Sequence, residues 1–102
     1  MPGYWLARSK INDPVEYKKY TDRVPEIIGK FGGKVLARGG RFKILEGPEK
    51  FARFVVIEFP SLEQAVACHA SKEYQEASAF RTTNGAGEVE LVIVESGDAT
   101  VR

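Results

Sequence analysis

A few residues in this chain have types and positions able to do chemistry. His69 is the sole histidine and Cys68 the sole cysteine of the 102 residues. Leu62, Ala65, Val66 and His69 recur at helical spacing, so the imidazole should point toward whatever that helix packs on. A half-buried imidazole can act as a general base, because its reference pKa lies near neutrality. The plainer expectation is a packed histidine bonded to backbone. Cys68 precedes it directly, and adjacent helical residues diverge by about 100°, so the two do not face each other as nucleophile and base. A structural cysteine is expected. One histidine and one cysteine cannot build a zinc site within one chain. No calcium loop or phosphate-cradling glycine motif is present either. Neither a metal nor a cofactor is expected.

Glu58 sits inside the apolar run Phe54 to Phe59, and Arg38 precedes the pair Gly39-Gly40. A buried carboxylate needs a partner. The plain expectation is an ion pair of Glu58 with Arg38 or Arg81. The functional version is an arginine that holds a substrate carboxylate while Glu58 or His69 moves a proton. His69, Glu58 and Arg38 are therefore the catalytic candidates. Tyr17, Tyr20, Tyr74 and Arg81 are the candidates for lining the ligand pocket. Aromatics at helical spacing are also ordinary core, with hydroxyls that need partners.

The elements that must hold these residues follow from periodicity and punctuation. Residues 3–11 alternate Trp5, Ala7, Ser9 and Ile11 with Tyr4, Leu6, Arg8 and Lys10, which predicts a strand. Asp13-Pro14-Val15-Glu16 reads as a capped helix start. Tyr17, Tyr20, Val24, Ile27, Ile28 and Phe31 then share one helical face. Pro25 interrupts that helix or restarts it as a second segment. Gly32-Gly33 ends it. Residues 34–38 and 41–46 read as one strand bent at Gly39-Gly40. Gly47-Pro48-Glu49-Lys50 is a turn, and residues 52–59 form the next strand. Ser61-Leu62-Glu63-Gln64 opens a helix to about Ala70. Ser71 caps a further short helix carrying Tyr74, Ala77 and Phe80. Residues 84–87 form a loop and residues 88–95 the last strand. One domain over residues 1–96 with a flexible tail over 97–102 is expected.

The order βαββαβ predicts an α+β, ferredoxin-like fold. Right-handed crossovers place both helical regions on one face of a four-stranded antiparallel sheet. A solvated opposite face would alternate apolar with polar residues. The third strand instead puts Phe54, Val56 and Glu58 on one side and Val55, Ile57 and Phe59 on the other. The last strand divides Val89, Leu91 and Ile93 from Val92 and Val94. Both faces read as buried. Each has roughly 300 Å² of flat area, about the largest apolar patch a monomer shows. A twofold dimer, sheet against sheet, is the simplest closed solution.

Composition narrows the function classes. A formal net charge of +1 argues against an electrostatic grip on nucleic acid or anionic lipid. The βαββαβ order is shared with RNA-recognition domains. The strand from Ala52 to Phe59, however, lacks their glycine-flanked basic-aromatic pattern. The longest apolar runs, Phe54 to Ile57 and Leu91 to Val94, are too short to span a bilayer. The start Met1-Pro2-Gly3-Tyr4-Trp5 is not a secretory leader. A single cysteine forms no intrachain disulfide. A cytoplasmic homodimer that contacts neither nucleic acid nor membrane is expected.

Several pieces occur together in order: Asp13-Pro14, Tyr17 and Tyr20, Gly32-Gly33, Arg38-Gly39-Gly40, Glu46-Gly47, Glu58-Phe59-Pro60-Ser61, Ser71-Lys72-Glu73-Tyr74 and Arg81. With them, the stretch from Gly3 to Glu95 resembles a bacterial family, domain of unknown function thirteen-thirty, within the dimeric α/β-barrel superfamily. The resemblance implies a ferredoxin-like fold and a face-to-face dimer. It implies no particular activity. The wider superfamily includes cofactor-independent monooxygenases, muconolactone-type isomerases and haem-degrading enzymes. The chain departs from the family pattern at Cys68-His69, where relatives are usually aromatic, and at Lys72, where a proline is common. Two functions are therefore carried forward. One is a small cofactor-independent isomerase, lyase or monooxygenase-like enzyme acting on a small organic acid or ketone. The other is a non-catalytic dimeric module that binds such a molecule.

Overall fold

A computed structural model describes residues 1–98, the side chain of residue 84 excepted. The first strand, β1, runs over Gly3–Ile11, the span its alternation predicts. Asp13 then caps the helix α1 (Pro14–Thr21), its carboxylate accepting from the Val15 and Glu16 amides at 3.1 and 3.2 Å. Pro25 does restart the chain. It occupies the first turn of a separate helix, α2 (Val24–Lys30), where its missing N–H costs nothing. Next come β2 (Lys34–Arg38), β3 (Arg53–Phe59), α3 (Leu62–Ala70) and α4 (Lys72–Thr82). A 3₁₀ turn (Thr83–Gly85) leads into β4 (Gly87–Glu95). Ser61 and Ser71 cap α3 and α4 through the Gln64 and Tyr74 amides. The α4 helix is 11 residues long rather than short.

The sheet is antiparallel with strand order β2-β3-β1-β4. All four helices lie on one face, and the slab is 17 Å in its thinnest dimension, enough for one sheet and one helix layer. The core lies between them. Trp5, Ile57 and Phe59 from the strands meet Tyr17, Tyr20, Ile27, Ile28, Ala65, Cys68, Tyr74 and Ala77 from the helices. Trp5 is the hub, stacked on Phe59 with ring centroids 5.7 Å apart and edge-on to Tyr74 at 5.1 Å. At the far end α1 is pressed onto β4: a Cβ at Gly87 would sit 2.6 Å from the Tyr17 ring.

Two expectations are corrected here. Residues 41–46 are not a strand. Gly39 turns left-handed with φ 66°, and the chain leaves the sheet until Arg53. Along this excursion Phe42 settles on the ring of Phe54, 4.9 Å away. The irregularity in β2 also lies elsewhere than at Gly39-Gly40. Val35 pairs with Ile57 and Ala37 with Val56, so Leu36 is the extra residue of a bulge. The tail expected over 97–102 falls, from residue 99 onward, outside the described residues. No helix among the described residues is long and apolar enough to cross a membrane.

Candidate functional site

The break between α1 and α2 leaves a gap over the sheet. Tyr17, Tyr20, Thr21, Val24, Pro25 and Ile28 roof a cavity of about 40 Å³, and its floor is Trp5, Ala7, Ser9, Val55 and Ile57. Three arginines line its wall: Arg38 at the end of β2, Arg53 at the start of β3 and Arg81 in the last turn of α4. No aspartate or glutamate lines it among the described residues.

Each arginine has a local reason to be there. Strict alternation from Lys34 would place Arg38 on the helix-free side. The Leu36 bulge shifts the parity by one, so Arg38 pairs with Val55 and shares its helix-side face. Arg53 has the parity of Val55, Ile57 and Phe59. Its guanidinium lies against the turn at Gly39, where a Cβ would come within 3.3 Å of Nη1. A side chain at that position would thus meet both a positive φ and a charged neighbour. Arg81 is 7% exposed, and the C-terminal end of a helix favours a cation. It donates from Nη1 to the Tyr20 hydroxyl at 2.9 Å and lies 4.5 Å above that ring and 5.6 Å from the Tyr74 ring. Its Nε is buried without any hydrogen-bond partner, and no carboxylate pairs with it among the described residues.

The tyrosines continue this network. The Tyr20 and Tyr74 hydroxyls are 2.8 Å apart in the buried core. Burial pushes the Tyr74 phenol well above its ordinary range, and the Tyr20 phenol upward despite the nearby Arg81 cation. Both are neutral hydrogen-bonding groups at pH 7. Tyr20 and Tyr17 face the cavity; Tyr74 stands behind Tyr20 and does not line it.

The remaining sequence candidates are scattered. Glu58 pairs with Tyr4 and Lys34, on the sheet face opposite Arg38 and Arg81. The expected ion pair of Glu58 with either arginine does not form, because β-strand parity separates them. His69 does point inward, as its helical spacing suggests. Its ring packs against Trp5 and Tyr74, with centroids at 5.7 and 5.3 Å, behind the cavity and not in its wall. Burial, and secondarily the Arg81 charge, hold its pKa below the ordinary value. Burial pushes the Cys68 thiol up to about 11, which leaves it protonated and inert at neutral pH. Arg53 is the wall residue that the sequence reading missed. Its signal was its parity with the apolar side of β3. No group of three or more His, Cys, Asp or Glu that could hold a metal occurs among the described residues.

Comparison with solved structures places the fold among small ferredoxin-like proteins. A protein of unknown function from Rhodopseudomonas palustris aligns with TM-score 0.69 and 22% identity, over 91% of this chain and 80% of that one. A dimeric ferredoxin-like protein of unknown function from Bacteroides fragilis aligns with TM-score 0.61 and 13% identity, over 92% and 95%. SnoaB, a cofactor-independent oxygenase from Streptomyces nogalater, aligns with TM-score 0.60 and 11% identity, over 92% and 91%. At these identities the likeness is one of fold. No curated protein matches the sequence. The model of DUF1330, a domain of unknown function, matches residues 2–96, and the chain belongs to that family.

Proposed function

We propose that this protein is a homodimer whose subunits each bind a small, partly apolar organic acid in the cavity between helices and sheet. The observation that carries this reading is Arg81: a buried cation with no carboxylate partner among the described residues, in the wall of a largely apolar cavity. A buried charge without a counter-charge is costly, and a guest carboxylate supplies one. Arg38 and Arg53 add positive potential on the same wall. The small volume limits the guest to a few non-hydrogen atoms inside the cavity.

The dimer rests on the helix-free face, where Leu6, Val92 and Val94 are 38%, 58% and 46% exposed and lie beside Phe54 and Val56. Proteins of similar fold are described as dimeric.

Turnover of the bound acid or its ketone, without a cofactor, is the second reading. The Arg81–Tyr20 hydrogen bond favours it: donors held in a buried site stabilise negative charge that develops on an oxygen. The fold-level likeness to a cofactor-independent oxygenase points the same way.

The test is a panel of short-chain carboxylates, read by thermal shift and by amide NMR. At ten times Kd a bound acid stabilises by about 1.4 kcal/mol, several degrees of Tm for a domain of this size. Arg81→Met, if folded, should lose the shift, and Arg38→Ala should weaken it. A panel in which no acid moves Tm or the resonances of Ser9, Tyr20 and Ile57 would refute the binding reading. Light scattering that gives a monomer at micromolar concentration would refute the dimer.

A further inference from the structure

The hydroxyl pair behind the cavity carries information about what kind of oxygen the site reads; this step rests on the acid-binding reading above. Tyr74 is fully buried, and the Tyr20 hydroxyl, 2.8 Å away, is the one hydrogen-bond acceptor its own hydroxyl meets among the described residues. The pair shares a single hydrogen bond, so only one of the two protons lies in it. If Tyr20 donated, the Tyr74 proton would be left in the core without an acceptor, a loss comparable to a broken buried hydrogen bond. If Tyr74 donates, its buried proton is satisfied. Tyr20 Oη then accepts twice, from Tyr74 and from Arg81 Nη1 at 2.9 Å, which fills its two lone pairs.

We propose that Tyr74 fixes the Tyr20 hydroxyl as a pure donor toward the cavity, so that Tyr20 and Arg81 together select a deprotonated carboxylate over isosteric guests that must themselves donate. Tyr20 lines the cavity and touches the guest; Tyr74 does not line it and is a positioning residue. With both Tyr20 lone pairs occupied and Arg81 carrying donors alone, this part of the wall offers nothing that can accept. A carboxylate presents two acceptor oxygens to two donors. A primary amide of the same shape must turn its NH₂ against one of them.

The experiment compares propionate with propionamide by NMR titration of the intact protein and of two near-isosteric variants, Tyr20→Phe and Tyr74→Phe. In the wild-type protein propionate should bind at least about tenfold more tightly, as expected for hydrogen bonds to a charged group. Tyr20→Phe should weaken propionate about tenfold with the fold intact. Tyr74→Phe should leave propionate binding within a few-fold but improve propionamide binding, since Tyr20 regains a free lone pair. A purely structural role for Tyr74 would weaken both guests equally and leave their ratio unchanged, and that outcome overturns the proposal. Should Tyr74→Phe not fold, Tyr20→Phe decides, because its acid-to-amide ratio must then fall toward the value set by Arg81 alone. An unchanged ratio there overturns the proposal as well. Failure of both guests to bind the wild-type protein is a different result: it removes the acid-binding reading, and this inference falls with it.

Discussion

The two faces of the sheet are built from alternate residues of the same strands, yet they are finished in different ways. On the helix side, Trp5, Ile57 and Phe59 are almost completely buried, and the polar side chains of Ser9 and Arg81 are held within the packing. On the other side, Leu6, Phe54, Val56, Val92 and Val94 lie among charges. There Arg8 Nη2 reaches Glu90 Oε1 at 2.6 Å across the β1–β4 pair. One face has the density of an interior. The other has the mixed apolar and ion-paired character of an interface. The difference teaches that two-sided apolar strands need not mean two helix layers. A layer from a second copy satisfies the same pattern.

The hardest blow to this contrast is a charge on each face of one strand. Leu91→Asp points into the helix side, where Leu91 is half-buried against the core, and should sharply lower the urea midpoint, since an unpaired carboxylate taken out of water is costly. Val92→Asp, its neighbour, points to the open face and should leave a folded monomer with native circular dichroism. Light scattering and far-ultraviolet spectra of the two proteins decide. A Val92→Asp protein that stays dimeric would move the interface off this face. Next in size, Trp5→Ala should destabilise by about 3–5 kcal/mol in urea. Leu6→Ala should act mainly through assembly, with a midpoint that depends on protein concentration. A Leu6→Ala midpoint independent of concentration would mean the face is simply solvated.

Much of this arrangement was legible before any coordinates. The alternation of β1, the caps at Asp13, Ser61 and Ser71, and the division of β3 into two sides are local signals, and local physics sets them. The sequence also divided Glu58 from Val55 and Ile57 correctly. What it withheld was which side carries the helices, a tertiary fact. The ion pair that the sequence suggests for Glu58 is forbidden by this parity. Arg38 shows the converse. Its side depends on one extra residue, Leu36, and a bulge of that kind leaves no composition signal in Lys34-Val-Leu-Ala-Arg38. The run Arg41 to Glu46 reads as strand by residue type. It leaves the sheet because Gly39 takes a left-handed turn and Phe42 finds the Phe54 ring instead. Arg53 was readable in principle: it is the charged residue on the apolar parity of its strand.

The smallest expected effect links the helix-side core to its cavity through His69. Its imidazole is held below its ordinary pKa first by burial and then by Arg81. A depressed pKa means that the unfolded chain takes up the proton first as pH falls. The stabilisation is therefore complete above about pH 6.5, the unfolded value, and is lost as pH drops through the lower folded value. His69→Phe keeps an aromatic ring against Trp5 and Tyr74 and removes the titration. Its urea midpoint should change less between pH 7 and pH 5 than that of the wild-type protein. The same histidine also reports on the cavity. A carboxylate beside Arg81 offsets the guanidinium charge, which removes part of the depression, so His69 should titrate at higher pH when propionate is bound. By linkage, propionate should bind somewhat more tightly as pH falls through that titration. The His69 Cε1 proton shift, followed against pH with and without propionate, measures both. Propionate that binds yet leaves the His69 titration unmoved would place the anion away from Arg81, at the Arg38 and Arg53 end of the wall.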